Sequence, residues 1–168
     1  WIRVGFAEQF RRKQTKKDQI STTTYFADPD LTGWVIEPTH RYLMRGQLYV
    51  SSADTADYKM KFTGTGLNTT NFPVTGQDHG FWNTHTTLGD SGGNHRSRRW
   101  SQEIVTVTDR TGNGGFGGGD YVDVIDLFGL IYNATGSPIT LTFEYAPLAN
   151  VAVTTSTLAN SWIQFERI

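Results

Sequence analysis

Tyr121-Val-Asp-Val-Ile-Asp-Leu-Phe-Gly-Leu-Ile-Tyr132, the break Asn133-Ala-Thr-Gly136, and Ile139-Thr-Leu-Thr-Phe-Glu-Tyr145 decide the fold. The second run keeps a two-residue period. Ile139, Leu141, Phe143 and Tyr145 fall on one face and Thr140, Thr142 and Glu144 on the other, as in a strand with one buried face. The first run is β-rich and apolar, and a third, Trp162-Ile-Gln-Phe-Glu-Arg-Ile168, follows closely enough to complete the same sheet. Working outward, Tyr42, Met44, Gly46, Leu48 and Val50 alternate within residues 41–50, and Tyr58, Met60 and Phe62 alternate against outward Lys59 and Lys61. Leu31 to Ile36 reads as a further strand, with Pro29-Asp30 as a turn before it and Glu37-Pro-Thr-His40 as a turn after it. No window sustains a helical period.

Composition agrees with many short strands joined by polar loops. Aromatic residues make up 13%, glycines number 18, and charged residues reach 18%, against about 25% in a typical soluble domain. The length suits one domain. The absence of cysteine excludes disulfides, thiol nucleophiles and cysteine zinc sites. A net charge of −1 argues against a dedicated nucleic-acid binder, and no apolar run is long enough for a membrane-spanning helix. The start at Trp1, with no signal peptide in Trp1-Ile-Arg-Val, reads as a piece or a processed form of something longer.

Two regions remain. Residues 1–20 form a basic N-terminal arm or first strand, in which Arg3, Arg11, Arg12, Lys13, Lys16 and Lys17 face only Glu8 and Asp18. Such charges protect a sheet edge or dock the chain onto an acidic surface. Arg11, Arg12, Lys13, Lys16 and Lys17 are the docking candidates. Residues 64–119 are rich in Gly, Thr, Asn and His. Their only clear strand candidates are Phe81-Trp82 and Ser101 to Thr108, and Gly112 to Gly119 is a low-complexity loop. Binding specificity belongs in these loops, with His79, Phe81, Trp82, His85 and Trp100 as the candidate contact residues.

Gly89-Asp-Ser-Gly-Gly93 matches the nucleophile motif of trypsin-like serine proteases. A triad would need His40 with Asp54 or Asp57, but nothing around His40 resembles that family's histidine motif. The stretch from His40 to Ser91 is also too short for a second barrel. A Gly/Asp/Ser loop explains the motif. His79, His85 and His95 lack the fixed spacing on a rigid element that a metal site requires, and the glycine run lacks the Lys-Ser/Thr of a phosphate loop. Asp123 and Asp126 have no acid partner for glycoside hydrolysis. Asn68-Thr-Thr70 and Asn133-Ala-Thr135 fit the glycosylation pattern. No catalytic residue, cofactor or metal is expected.

Arg12-Lys13, Ser21-Thr-Thr-Thr24, Asp28-Pro-Asp-Leu31 and the strand of Tyr42 resemble the opening of a group of small tailed-phage virion proteins. Phe128-Gly129, Thr140-Leu-Thr-Phe143 and Ser161-Trp-Ile-Gln-Phe-Glu-Arg167 resemble their ending, in order and spacing. The likeness covers both ends of the chain, and the Gly/His/Trp-rich middle departs from it. It implies a jelly roll of the tumour-necrosis-factor and complement type that assembles as a trimer on the exterior of a phage particle. The implied partners are the major capsid protein or other virion proteins. Phe143 and Tyr145, or the strand of Phe128, would then supply the core or the trimer axis. The expectation is an all-β, antiparallel jelly-roll sandwich of about eight to ten strands over residues 21–168. Its role would be non-enzymatic, decorating or stabilising the capsid. The alternative is the tip of a head or tail fibre that binds a host glycan or receptor.

Overall fold

The computed structural model of the chain describes residues 8–15, 17–20, 22–51, 58–64, 73–80, 97–103, 123–147 and 154–168. Among them are eleven strands and no helix: β1 (Glu8–Arg12), β2 (Lys17–Ile20), β3 (Phe26–Ile36), β4 (Arg41–Ser51), β5 (Lys59–Thr63), β6 (Pro73–Gly80), β7 (Ser97–Glu103), β8 (Asp123–Tyr132), β9 (Ile139–Ala146), β10 (Thr154–Thr157) and β11 (Trp162–Arg167). A large sheet runs β1-β11-β4-β8-β6-β7, with β2 and β10 attached, and a small sheet runs β3-β9-β5. Every pairing is antiparallel. The chain changes sheet between β2 and β3, at each step from β3 to β6, and again on either side of β9. The fold is a β-sandwich, and these repeated crossings are those of jelly-roll connections.

Two-residue alternation creates the core. Tyr42, Met44, Leu48 and Val50 of β4, Ile125, Leu127 and Ile131 of β8, and Ile163 and Phe165 of β11 point inward from the large sheet. Trp34, Ile36, Met60, Phe62, Ile139, Leu141, Phe143 and Tyr145 meet them from the small sheet. Trp34 lies 5.3 Å from Phe165 and 6.0 Å from Phe62, ring to ring, so one aromatic cluster joins β3, β5 and β11 across both layers. Burying a side chain of this size stabilises by about 1.5–3 kcal/mol. Gly46 has a steric purpose, because a Cβ there would stand 2.9 Å from the backbone oxygen of Trp162 on β11.

The two outer strands of the large sheet are broken at the same level. β1 pairs with β11, and β2 pairs with β10. β11 and β10 lie end to end along one edge of β4. At the break, Lys13 N–H donates to Ser161 O (2.7 Å) and Asn160 N–H to Lys13 O (3.0 Å), with Asn160 in the left-handed region at φ 71°. Ser161 Oγ accepts from Tyr49 N–H at 2.9 Å, returning the chain to β4.

Several expectations change. Pro29-Asp30 does not end a strand, because β3 continues through it on an irregular stretch. Pairing jumps from Ala27–Glu144 to Thr32–Thr142, so residues 28–31 bulge out of the ladder. A bulge is where a proline, which lacks an N–H, fits inside a strand. Within residues 64–119, β6 is a strand beyond the two expected, and β7 meets the strand expected from Ser101 but begins four residues earlier; Phe81-Trp82 lies outside the described residues. Between Tyr145 and Trp162 a further strand appears, β10, which is made only of Thr and Ser.

Of the two readings of residues 1–20, the described residues form strands rather than a loose arm, and they are built into the sandwich. Gln9 reaches the free edge of β3, donating from Nε2 to Val35 O (2.6 Å) and accepting Val35 N–H at Oε1 (2.7 Å). Arg11 donates to the carbonyls of Thr32 (3.1 Å) and Gly33 (3.2 Å) on the same edge. These side chains stand in for a missing neighbouring strand and close one flank between the sheets. Lys13 is fully buried and paired with Asp28 at 2.6 Å. The ammonium of Lys13 is therefore not available for docking, and the guanidinium of Arg11 is engaged within the fold. Arg12 is exposed and donates to Asn160 Oδ1.

Candidate functional site

The outer faces of the two sheets differ in kind. On the small sheet, Lys59 and Lys61 lie over the ring of Tyr25 at 4.6 and 4.2 Å. Lys61 pairs with Glu144 at 3.2 Å, and Thr63 Oγ1 donates to the same carboxylate at 2.9 Å. This face is polar and internally satisfied, as suits water.

The outer face of the large sheet carries an apolar row instead. Successive outward residues of β8 are Phe128, Leu130 and Tyr132, which are 51%, 41% and 38% exposed. The register sets Arg45, Leu43 and Arg41 of β4 directly opposite them. Arg41 stands 5.6 Å from the centre of the Tyr132 ring, a cation–π contact at the end of the row. Two strands further on, Phe10 of β1, 47% exposed, stacks on Trp162 of β11 at 5.9 Å. Single exposed apolar residues are ordinary on protein surfaces, whereas a contiguous row of them marks an interaction site. Aromatic side chains with arginine are the composition of an interface centre. Between the row and the middle of the sheet, Gln47 Nε2 donates to Asp126 Oδ1 (2.9 Å) and Tyr49 O–H to Gln47 Oε1 (2.6 Å). This polar ladder bounds the apolar row on one side.

The face is suited to non-covalent contact. Among the described residues no group of three or more His, Cys, Asp or Glu gathers in a way that could hold a metal ion. His40 is bonded through Nδ1 to Pro38 O at 2.7 Å, in the turn between β3 and β4. Asp54, Asp57 and Ser91, the other members of the protease reading, lie outside the described residues. Asp126 Oδ1 accepts a hydrogen bond from Gln47 Nε2. Asn133 fits the glycosylation pattern, as many strand-rich loops do by chance. Its side chain is fully buried, donating to Ile36 O and Ser137 O at 2.8 Å each and accepting from Thr135 N–H at 2.9 Å. It fastens the β8–β9 turn to β3.

The candidate loop residues are only partly placed. His79 lies in β6, paired in register with Ser97 on one side and Val124 on the other. Trp100 lies in β7 opposite Gly76. Phe81, Trp82, His85 and Lys16 lie outside the described residues, while Lys17 falls in β2 opposite Thr157. The Phe128–Leu130–Tyr132 row is not among the candidate contact residues of the loops, although the strand of Phe128 is expected to supply the core or the trimer axis. A signal for it exists: apolar residues of residues 124–132 occupy both parities, as in a strand covered on both faces.

A second polar locus is internal. Tyr58 O–H and Thr157 Oγ1 are bonded at 2.9 Å within the core. Burial pushes the Tyr58 phenol well above its ordinary pKa of 10.0, partly offset by the Thr157 hydrogen bond, while Tyr145 and the nearby charge of Asp28 add to the rise.

No protein-family model matches the chain, and no curated protein is significantly similar to it in sequence.

Proposed function

We propose that the chain is a non-enzymatic structural protein of a phage virion. In this reading it is a homotrimer on the particle exterior that decorates or stabilises the capsid. The observation that carries it is the contrast between the two outer faces. One is a self-satisfied polar surface, and the other is an apolar row of Phe128, Leu130 and Tyr132 flanked by Arg41 and Arg45. The apolar face is where copies of the chain meet, leaving the polar face toward solvent. The likeness of both chain ends to small virion proteins supplies the setting, and the β-sandwich is compatible with it.

The test has two stages. Sedimentation equilibrium should give a trimer mass, and Phe128→Asp with Leu130→Asp should give a folded monomer. A wild-type monomer at tens of micromolar, or a double variant that stays trimeric, refutes this use of the face. The chain should then bind capsids that lack tails, in a copy number set by shell symmetry. Failure on tailless heads, combined with loss of host adsorption in Trp82→Ala or Trp100→Ala, would favour the fibre-tip reading.

A further inference from the structure

The buried pair at the break in the outer strands has more built around it than an ion pair needs. Lys13 Nζ and Asp28 Oδ2 are 2.6 Å apart, and both side chains are 0% exposed. The other carboxyl oxygen, Oδ1, accepts two backbone N–H groups, from Asp30 at 3.0 Å and from Leu31 at 3.1 Å. The bulge around Pro29 creates that arrangement, because it turns two consecutive amides back onto the side chain of Asp28.

We propose that Lys13 and Asp28 form an intramolecular isopeptide bond, an amide between Nζ and Cγ made with loss of one water. Charges stripped of water on both sides are costly to keep buried, and the amide carries none. A proton passes from the ammonium to Oδ2 along the 2.6 Å contact and leaves a nucleophilic amine. That contact sets the nitrogen within about 4 Å of Cγ, beside the about 3–3.5 Å of a near-attack pair. The nitrogen lone pair attacks Cγ, and the carbonyl electron pair moves onto Oδ1. There the N–H groups of Asp30 and Leu31 receive it as an oxyanion hole does. Collapse restores the double bond to Oδ1 and breaks the Cγ–Oδ2 bond. Oδ2 departs as water, carrying the proton it had received and one from the new nitrogen. No oxidant or other reactant is consumed.

The bond would fasten the junction of β1 and β2 in the large sheet to β3 in the small one, a covalent tie between the layers in a chain without cysteine. It is independent of the virion reading and would hold in any setting.

The intact mass of the purified full chain, measured under denaturing conditions after incubation in the folded state, tests the proposal. Wild type should be lighter by one water, and digestion should yield a branched peptide joining Lys13 to Asp28. Lys13→Arg, which keeps the positive charge, and Asp28→Ala should each restore the full mass. Because mass is read on denatured protein, poor folding of a variant does not obscure the wild-type result. A wild-type chain at full mass after long incubation overturns the proposal, as does a water loss mapped to any other residues.

Discussion

Phe165 and Phe128 are the same residue type on strands of the same sheet, aimed in opposite directions. Phe165 on β11 is 0% exposed, with its ring 5.3 Å from Trp34 and 6.0 Å from Phe62, while Phe128 on β8 is 51% exposed. Truncation to alanine removes identical atoms from two environments. At Phe165 it forfeits the transfer energy of a fully buried ring and leaves a cavity between the layers, for an expected loss of about 3–5 kcal/mol. In a chain of this size each kcal/mol moves the midpoint by about 2–4 °C, so Phe165→Ala should melt about 6–20 °C below wild type. Phe128→Ala, measured at a concentration where sedimentation shows a monomer, should change unfolding free energy by no more than about 0.5 kcal/mol. Urea unfolding followed by tryptophan fluorescence reads both. A double-mutant cycle with Trp34→Leu should return about 0.5–1.5 kcal/mol of coupling for Phe165 and none for Phe128. If the two alanine variants lose equal stability, or Phe165→Ala loses less than about 1 kcal/mol, the assigned inward face is wrong. A register slip by one residue would have that effect.

Three other outcomes follow from the same reasoning. Lys13→Met leaves Asp28 buried without its partner and should cost about 3–5 kcal/mol in urea unfolding, whereas Arg12→Ala next to it should stay within about 0.5 kcal/mol. Gly46→Val forces a side chain against the Trp162 carbonyl 2.9 Å away and should cost at least about 1–3 kcal/mol, with looser β4–β11 pairing visible as faster amide exchange at Ile163. Tyr58 has a folded pKa above its unfolded value of 10.0, so the folded state keeps a proton that the unfolded chain has lost. Its contribution is complete below pH 10 and falls away as pH rises beyond it; Tyr58→Phe should flatten that alkaline decline relative to wild type in pH-dependent melting.

What the sequence revealed depended on how regularly each strand alternates. β4, β5, β9 and β11 have apolar residues at every second position, and Tyr42, Met44, Tyr58, Phe62, Leu141, Phe143 and Phe165 are buried as that pattern requires. β6 and β10 carry no such signal. Pro73–Gly80 is largely Gly and polar residues, and Thr154–Thr157 has no apolar residue at all, so their strand state comes from neighbours that supply hydrogen bonds. Pro29 has the local chemistry of a turn, and only the bulge against β9 reconciles it with a strand. Lys13 was misplaced because a basic residue among other basic residues suggests solvent. Its partner, Asp28, sits in the other sheet and is brought near only by the crossing of the chain. The exposed row on β8 was hidden for the opposite reason: its residues are as apolar as a core, and composition does not say which face is covered.

The edge of β4 that carries β10 and β11 governs how the molecule can fold. β4 pairs there with residues more than a hundred positions later, and the strand that pairs with β1 is β11. During synthesis β4 can meet β8 first, but its other edge stays open until residues 156–167 have left the ribosome, and β1 and β2 lack their strand partners, β11 and β10, before then. Closing such distant pairs is entropically slow, so the rate of reaching the native state should be set by the arrival of β11. Until it docks, an unpaired apolar edge is exposed to other chains, and for this fold the hazard is greatest in the last moments of synthesis.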